Sequence, residues 1–384
     1  MEKIFKGFCC VGLMLMVVSG CSSRSGSASL EDNEKSNVSV TREHFGTLAD
    51  GREVQLFTIQ NGNGMTVKAI NYGGIITSIL VPDKEGKSAE VVLGFDSLTH
   101  YTGRHPHVGP MVGRYSGYVA NGKFSIDGVE YTLAKNSGAN HLHGGLKAFD
   151  KILWNASEIR NENGSGIELS YTSPDGEEGY PGNLEVKVSY TVTENNSLEI
   201  TYEAETDKKT HVNLTNHLYF NLSGMEGDDV LQHVLQINAS HYAVPGDGNI
   251  PTGELRTVEG TALGFLEPQA IGSRIGDLQN GYDHNYVLKR ENNDQLLQAA
   301  TVYDPTSGRV MEVQTTHTGL EFASADWLNV SGRSRRHFGK RSGFLLYPQH
   351  LPDSPNRPDF PSTILEPGYK YRQKTIYSFS VKNG

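Results

Sequence analysis

Histidine, asparagine and acidic residues recur beside glycine or apolar residues in stretches that could support acid–base chemistry. The stretches are His143 before Gly144-Gly145, Asn213 to His217 before Tyr219-Phe220, and Gly281 to Asn285, which contains Asp283. An imidazole has an unperturbed pKa of about 6.5, so it can both donate and accept a proton near neutral pH. Taken singly, such a histidine is more often a hydrogen-bonded core residue, and Asn or Asp beside Gly is more often a turn former.

Other motifs suggest metal or phosphate binding but lack the residues that such sites need. His105-Pro-His107 and His141-Leu-His143 would each place two imidazoles on one face of a strand. Without a cysteine or a helical His-Glu pair nearby, neither completes a ligand set, so we predict no metal site. Gly86-Lys87-Ser88 lacks the first glycine of a phosphate-binding loop, because that position holds Val81. It is predicted to be a turn.

Charge and cysteine content exclude further classes. The 384 residues contain 34 Lys+Arg and 44 Asp+Glu, a net charge of −10, which argues against a nucleic-acid partner. The basic run from Arg333 to Arg341 is therefore predicted to be a solvated loop. The cysteines, Cys9, Cys10 and Cys21, all lie in the first 21 positions. The body of the chain consequently has no disulfide and no thiol chemistry.

The N-terminus has the features of an export signal. Lys3 and Lys6 precede an apolar stretch from Phe8 to Val18, and Val18-Ser-Gly-Cys21 resembles the bacterial lipobox. We predict a signal peptide over 1–20, lipidation of Cys21 and a serine-rich flexible tether over 21–40. This implies an exported, membrane-anchored lipoprotein on the periplasmic or cell-surface side. The alternative is a simple cleaved signal peptide with an incidental cysteine.

Beyond the tether, apolar and polar residues alternate with a period of two, which indicates half-buried strands. In the clearest case Asp127-Gly128, a dipeptide typical of tight hairpin turns, separates two alternating runs. Further strands are predicted over 55–59, 75–81, 166–171, 184–192, 198–205 and 310–314. No stretch of helical length carries a sustained 3.6-residue apolar stripe. The pattern predicts an all-β fold, a large twisted β-sandwich formed by a single domain over 41–384.

Taken together, the motifs resemble the ordered signatures of aldose 1-epimerases (galactose mutarotases). The matching segments are Asn140-His-Leu-His143-Gly-Gly, Phe149-Asp150-Lys, Ser173 to Gly182, Asn213 to Leu222, Gly281 to Asn285, Pro355 to Pro361 and Leu365-Glu-Pro-Gly368. The resemblance implies that family's twisted β-supersandwich with an open sugar cleft. It also implies exchange of α and β anomers by ring opening, in which a base deprotonates the C1 hydroxyl and an acid protonates the ring oxygen.

The resemblance assigns roles to individual residues. His217 would be the general acid at the ring oxygen, His143 and Asp283 would bind sugar hydroxyls, and Tyr219 would line the same pocket. Where the family has Asn and Arg in a Gly-Arg-x-x-Asn-Arg segment, this chain has Gly117 and Tyr118. Two polar sugar contacts are therefore expected to be absent.

The family's general base is also replaced. Its Glu lies in a Ser-Gly-Phe-x-Leu-Glu-x-Gln segment, where this chain has Tyr347. A phenol with a pKa near 10 is ionised too weakly at neutral pH to replace a carboxylate, unless a cation lowers that pKa. Glu321 stands where the family often has a sugar-contacting Gln. It either takes over the role of the base or changes the sugar selectivity, or it is an outward-facing strand residue.

Three functions remain open on this sequence. The first is an exported aldose 1-epimerase acting on a hexose such as galactose or glucose. The second is a weakly active or inactive lipid-anchored carbohydrate-binding protein, with Tyr118 and Tyr347 offering flat faces to sugar C–H groups. The third is a related activity on a larger or modified saccharide. Proton transfer needs no cofactor, although the many acidic residues would suit a structural calcium ion. We expect a monomer that binds a small sugar and meets a membrane only through its lipid anchor.

Overall fold

The structure is a computed structural model, and it describes residues 37–225, 229–290 and 295–382. Strands dominate these residues, so the predicted all-β class is confirmed. In chain order the first fifteen strands are β1 Ser39–Thr47, β2 Glu53–Gln60, β3 Thr66–Ile70, β4 Ile75–Pro82, β5 Ser88–Glu90, β6 Met111–Val112, β7 Tyr118–Val119, β8 Lys123–Ile126, β9 Val129–Thr132, β10 His141–Leu142, β11 Asn155–Asn161, β12 Gly164–Ser173, β13 Leu184–Thr193, β14 Ser197–Thr206 and β15 Thr210–His211.

The remaining strands complete the sheets. They are β16 Thr215–Asn216, β17 Tyr219–Phe220, β18 Val234–Ile237, β19 His241–Pro245, β20 Pro251–Thr257, β21 Gln269–Ala270, β22 Asp283–Val287, β23 Leu297–Tyr303, β24 Arg309–Thr315, β25 Gly319–Ala323, β26 Val330–Ser331, β27 His337–Phe338, β28 Phe344–Gln349, β29 Ile364–Leu365 and β30 Tyr371–Val381. One short α-helix, α1 Leu98–Thr102, occurs among the described residues. The 3₁₀ turns are Ala120–Gly122, Phe149–Lys151, Glu177–Gly179, Asp247–Asn249, Ile271–Ser273, Ile275–Asp277, Arg333–Arg335 and Ser354–Asn356.

The predicted hairpin forms as its turn chemistry requires. Asp127 and Gly128 have positive φ angles of +50° and +81°, and β8 and β9 pair with Ile126 opposite Val129. Positive φ at both central residues matches the right-handed twist of the flanking strands. Gly86, with φ of +80°, and Lys87 lie in the predicted turn between β4 and β5, and Ser88 is the first residue of β5.

Three antiparallel sheets form the body of the fold. The first has the order β1-β2-β3-β4-β5, the second β11-β12-β13-β14-β30-β24-β23-β18-β21, and the third β17-β28-β25-β22-β19-β20. A single cluster of buried apolar side chains draws on all three sheets. It includes Phe57 and Ile79 from the first, Leu169 and Val313 from the second, and Phe322 and Leu346 from the third. The core of the predicted sandwich therefore lies between these sheets.

The third sheet, here called the cleft sheet, has two different faces. On β28, Phe344 and Leu346 belong to the core cluster, whereas Tyr347 and Gln349 line a cleft on the opposite face. Successive side chains of a strand point to opposite faces, so this alternation lets one strand serve both. The same division holds on β25, where Phe322 faces the core and Glu321 faces the cleft.

Most of the N-terminal predictions concern residues outside the described ranges. The predicted signal peptide, Cys21 and residues 21–36 of the tether lie outside the described residues. The last part of the tether prediction is wrong. Strand β1 begins at Ser39, and the apolar side chain of Val38 is buried in the core cluster. Within the described ranges, the helical segment is too short to cross a bilayer.

The basic run is only partly the solvated loop that its charge predicts. Arg335 and Arg336 are exposed, but Arg333 contacts the carboxylates of Glu90 and Asp96. In addition, Arg341 Nη2 and Lys340 Nζ lie 2.7 and 2.9 Å from Asp326 Oδ1. Three of the five cations in the run contact carboxylates of residues outside it, and composition alone could not reveal these contacts.

Candidate active site

A cleft of about 310 Å³ opens on the outward face of the cleft sheet. This volume is at the lower end of the roughly 300–1,000 Å³ that small-molecule sites occupy. All of the predicted catalytic and sugar-binding residues line it: Gly117, Tyr118, His143, His217, Tyr219, Asp283, Glu321 and Tyr347. Residues more than 200 positions apart in the chain thus meet in one hollow.

Strand register places the acidic and phenolic groups side by side. Asn285 on β22 pairs with Glu321 on β25, and Glu321 pairs with Tyr347 on β28. Directly opposed side chains share a face of the sheet, so these three form a row across the cleft floor. Asp283 lies two residues before Asn285 and therefore joins the same face.

His217 lies between β16 and β17, and its backbone is anchored on both sides. Its N–H donates to Pro110 O at 2.9 Å, and its carbonyl accepts from Gly109 N–H at 2.9 Å. Burial, followed by the charge of His107, lowers the pKa of His217 to about 3, although backbone hydrogen bonds oppose part of this shift. The imidazole is therefore neutral at neutral pH while the cleft holds no sugar.

Four rings pack around His217. Its ring centroid lies 5.0 Å from that of Tyr347, 5.2 Å from Tyr219, 5.3 Å from His143 and 5.8 Å from His107. The contacts fix the plane of the imidazole. Any group that exchanges protons close to His217 must come from this set or approach across the open side of the cleft.

His143 has a defined tautomer. The Gly117 N–H donates to His143 Nδ1 at 3.1 Å, so Nδ1 is the acceptor and the proton of the neutral ring resides on Nε2. Burial, with the nearby His107 and His217, holds the pKa of His143 well below its usual value. His143 can therefore donate one hydrogen bond from Nε2 to a sugar oxygen.

Gly117 and Tyr118 reshape the wall where the family has polar contacts. Gly117 has φ of +79°, and a β-carbon there would lie 3.2 Å from Pro352. Tyr118 pairs with Leu142 through β7 and β10, and burial followed by the charge of Asp283 raises the pKa of its phenol. The Gly117 N–H is already used by His143 Nδ1, so the wall presents the neutral hydroxyl of Tyr118 in place of a cation.

Asp283 and Glu321 form a buried carboxyl pair. Burial, together with the charge of Asp283 and a hydrogen bond to it, raises the pKa of Glu321 well above its usual value. Burial also raises the pKa of Asp283, while hydrogen bonds from Glu321 and Asn249 lower it. Two adjacent carboxyl groups cannot both ionise at low cost, so the pair shares one proton, held mainly by Glu321.

Amide groups orient this pair. Asn249 Nδ2 donates to Asp283 Oδ2 at 3.0 Å, and Gln349 Nε2 lies 3.5 Å from Glu321 Oε2. Gln349 is itself fixed, because its Nε2 donates to Asn285 Oδ1 at 2.7 Å and its Oε1 accepts from Ser116 Oγ at 2.7 Å. The carboxyl groups are therefore held in place before any ligand binds.

Tyr347 does not offer a phenolate. Burial first, and then the charges of Glu321 and Asp283, raise the pKa of its hydroxyl well above 10. The cation that would be needed to lower this pKa does not act on it. In this site Tyr347 is a neutral hydroxyl beside His217, able to donate a hydrogen bond but unable to act as a base.

The two His-x-His motifs are not paired on strand faces, so that interpretation is wrong. His141 is buried, with Nδ1 2.7 Å from Ala134 O and Nε2 2.8 Å from Tyr180 Oη, whereas His143 follows the end of β10 with φ of +51° and faces the cleft. His105 contacts the carbonyl of Tyr101 in α1 and accepts from the N–H of Val108, while His107 lines the cleft. A change of backbone conformation after the first histidine separates each pair.

In the part of the chain that the structure describes, no three His, Cys, Asp or Glu side chains are arranged to hold a metal ion. The structure also brings in residues to which the sequence assigned no sugar contact: His107, Asn249, Asn285, Trp327 and Gln349. Asn285 had a local signal, since it belongs to the Gly281-to-Asn285 stretch and lies two residues after Asp283, and Gln349 lies two residues after Tyr347 in the same way.

Comparisons with known proteins agree with this geometry. A family model described as aldose 1-epimerase matches residues 55–378. A galactose mutarotase from Sus scrofa is 42% identical over 348 residues, covering 90% of this chain and 99% of its own length. An aldose 1-epimerase from Escherichia coli K12 is 36% identical over 338 residues, covering 86% of this chain and 96% of its own.

Solved structures share the fold. An aldose epimerase homologue from C. elegans superposes with a TM-score of 0.79 at 27% identity, covering 85% of this chain and 99% of its own. A galactose 1-epimerase from Lactobacillus acidophilus gives a TM-score of 0.78 at 26% identity, covering 90% and 100%. The match therefore extends over nearly the whole of each relative, and the chain belongs to the aldose 1-epimerase family.

Proposed function

We propose that this protein is an aldose 1-epimerase that interconverts the α and β anomers of a hexose such as galactose or glucose. The observation that carries the proposal is the convergence of His143, His217 and Asp283 on one cleft of suitable volume. The names of the relatives, galactose mutarotase and aldose 1-epimerase, support the same reaction.

The site contains the means to move a proton to and from the ring oxygen. His217 is the carrier at that oxygen, and the Asp283–Glu321 pair holds the proton that the neutral imidazole lacks. When a sugar occupies the cleft, its hydroxyls connect these groups, and His217 receives the proton that it delivers to the ring oxygen. Closing the ring on the other face reverses the transfer, so every carrier must both donate and accept.

His143 and Asp283 position the sugar in this scheme. His143 Nε2–H donates to a hydroxyl oxygen, and the Asp283 carboxylate accepts from adjacent hydroxyls. Glu321 is a protonated carboxyl group in this scheme, because its pKa is raised well above the usual value. It is therefore a hydrogen-bond donor and not a free base. The neutral hydroxyl of Tyr347 adds one more donor beside His217.

The decisive experiment follows the anomers directly. Freshly dissolved α-galactose and α-glucose are monitored by polarimetry with the full chain and with H217N, which keeps a polar side chain but carries no titratable ring. We expect the wild-type chain to accelerate exchange above the buffer rate and H217N to lose about 10²–10⁴-fold in kcat. An inactive wild-type chain, or an H217N variant of equal activity, contradicts the proposal.

A second function is favoured by one observation. Neutral phenols, Tyr118 and Tyr347, occupy the two positions where the family has an Arg and its base, which suits binding of a sugar without turnover. Calorimetric binding of galactose or glucose by a chain that leaves the exchange rate at the buffer value would establish this carbohydrate-binding role.

We propose in addition that the protein works outside the cytoplasm as a lipoprotein anchored through Cys21. The lipobox-like sequence before Cys21 supports this assignment. Radiolabelled palmitate should be incorporated into the wild-type chain expressed in a bacterial host and not into C21A. Equal labelling of the two chains would contradict the anchor and leave the enzyme assignment unaffected.

A further inference from the structure

The proposed reaction needs a base to deprotonate the C1 hydroxyl. Tyr347 stands where the family has its general-base glutamate, so another residue must supply this base. The C1 hydroxyl and the ring oxygen are bonded to the same carbon, so the base must work close to His217. In the described part of the chain, the rings that pack on His217 are those of His107, His143, Tyr219 and Tyr347. A base in this cleft is required only if the protein has the proposed function, and it belongs to the same site.

Three of these rings are already committed to other contacts or protonation states. Tyr219 Oη donates to Pro106 O at 2.7 Å and accepts from Trp327 Nε1 at 3.2 Å. The proton of His143 resides on Nε2, because Gly117 N–H occupies Nδ1. Tyr347 is a neutral phenol whose neighbours are two carboxyl groups.

His107 has the arrangement that a general base requires. Its Nδ1 lies 3.5 Å from Asp150 Oδ2, and the Asp150 side chain is only 6% exposed. Lys151 Nζ contacts the same carboxylate oxygen at 3.1 Å. Burial alone would raise the pKa of Asp150, but the contacts with His107 and Lys151 lower it, so Asp150 is ionised.

The buried carboxylate determines which nitrogen of His107 is free. A negative charge beside Nδ1 favours a proton on that atom and leaves the Nε2 lone pair as an acceptor. His107 lines the cleft with 27% of its side chain exposed, and its ring centroid is 5.2 Å from that of His143. It therefore borders the space next to the group that acts on the ring oxygen.

We propose that His107 is the catalytic base of this site and that Asp150 is its positioning residue. His107 Nε2 takes the proton of the C1 hydroxyl as the bond between C1 and the ring oxygen breaks, and the ring oxygen receives a proton from His217. The product of this step is an aldehyde at C1 and a hydroxyl at C5. After C1 rotates, His107 returns its proton to the carbonyl oxygen as the C5 oxygen attacks C1 and gives its own proton back to His217.

The charged and titratable groups that face His107 come from several elements. Asp150 and Lys151 lie in the 3₁₀ turn Phe149–Lys151, His143 follows β10, and His217 lies between β16 and β17. His105, on the same loop, has its ring centroid 6.4 Å away. Only Asp150 among them is negative.

The first test removes the ring and then restores it from solution. H107A should lose about 10²–10⁴-fold in kcat for anomer exchange, with an unchanged melting temperature. Imidazole added to H107A should restore part of the rate in proportion to its concentration, whereas it should do nothing for H217N. An H107A variant with wild-type kcat, or one that folds but shows no rescue, overturns the assignment.

The second test uses the pH profile, which a merely structural role would not move. The base must be unprotonated, so kcat should fall at low pH. D150N removes the negative charge 3.5 Å from His107 Nδ1, and it should move this acid limb to lower pH. K151M removes a competing cation from Asp150, and it should move the limb to higher pH.

The outcomes separate this inference from the function on which it rests. Opposite shifts in the two variants support the base assignment even if D150N loses stability, because K151M changes a half-exposed side chain. Unshifted limbs overturn it. A wild-type chain that does not accelerate exchange overturns the proposed function as well, whereas an active chain with an unimpaired H107A overturns only the role of His107.

Discussion

Three substitutions change the cleft together and leave its charge balanced. Relative to the pattern that this chain resembles, a cation is lost at Tyr118, an anion is lost at Tyr347, and a carboxyl group is gained at Glu321. Because Glu321 is kept protonated by burial and by Asp283, the net change in charge is close to zero. One cation and one anion have been replaced by neutral hydroxyl groups, which lowers the cost of desolvating an empty cleft.

This exchange predicts strong coupling between positions 347 and 321. Y347E alone would place a third carboxyl group beside Glu321 and Asp283, and repulsion would keep it protonated. In Y347E/E321Q one of those neighbours is neutral, so the new carboxyl group can ionise and act as a second base. We expect the double variant to exceed either single variant in kcat/KM, with a coupling of at least about 1.4 kcal/mol, or tenfold.

The control for this cycle is Y347F/E321Q, which carries the same glutamine without a carboxyl group at 347. It should show none of the gain, and polarimetry on all four variants and the wild type gives the comparison. Rates in Y347E/E321Q that equal the product of the two single effects would mean that Glu321 does not control ionisation at this position.

The motif from Ser173 to Gly182 supports the site, although its residues do not line the cleft. The segment from Ser173 to Gly182 is held by Arg114, whose Nη1 donates to Pro181 O at 2.9 Å and to Gly182 O at 3.0 Å. From the same segment, Glu178 accepts from the backbone N–H groups of Leu146 and Lys147 at 2.9 and 2.8 Å. Those residues follow the turn after His143, so the segment stabilises the loop that carries this binding residue.

Weakening the hydrogen bonds of Glu178 should raise KM more than it changes kcat. E178Q replaces two charge-assisted acceptors with one neutral carbonyl, at a cost of about 1–2 kcal/mol in the free energy of unfolding. The loop carrying His143 should become more mobile, so KM should rise severalfold while kcat stays within about twofold. E185Q, which changes an exposed glutamate on β13, is the matched control and should alter neither quantity. A drop in kcat at unchanged KM would assign Glu178 a different role.

The sequence predicts the hairpin and six further strands, and the family resemblance predicts members of the cleft, but neither predicts how these parts contact one another. Alternation and the Asp-Gly turn act over a few residues, so they predict the hairpin, whereas the place of Tyr347 in the cleft follows from the family resemblance. The Asp283–Glu321 pair depends on the register of β22 and β25, and the His107–Asp150 contact joins two loops 43 positions apart in the chain. Those contacts depend on the packing of the whole sandwich, which local periodicity does not encode.

Histidines buried throughout the molecule couple its stability to pH. Burial lowers the pKa of six of them to about 3 or 4: His105, His211, His217, His233, His284 and His350. In the unfolded chain each titrates near 6.5. Between these values the unfolded state binds more protons than the folded state, so the stability that is present above pH 6.5 is lost as the pH falls.

We therefore expect steep acid destabilisation below pH 6.5, at about 1.4 kcal/mol per pH unit for each such imidazole. H233Q isolates one contribution: Leu222 N–H donates to His233 Nε2 at 2.9 Å, a bond that protonation would break and that a glutamine oxygen can accept without titrating. Urea unfolding between pH 6 and 4.5 should show a slope reduced by about one proton in H233Q. The slope should be unchanged in H337Q, which replaces an exposed histidine. If H233Q has the same slope as the wild type, His233 is already protonated in the folded protein over this pH range. Burial of His233 would then not contribute to the loss of stability in acid.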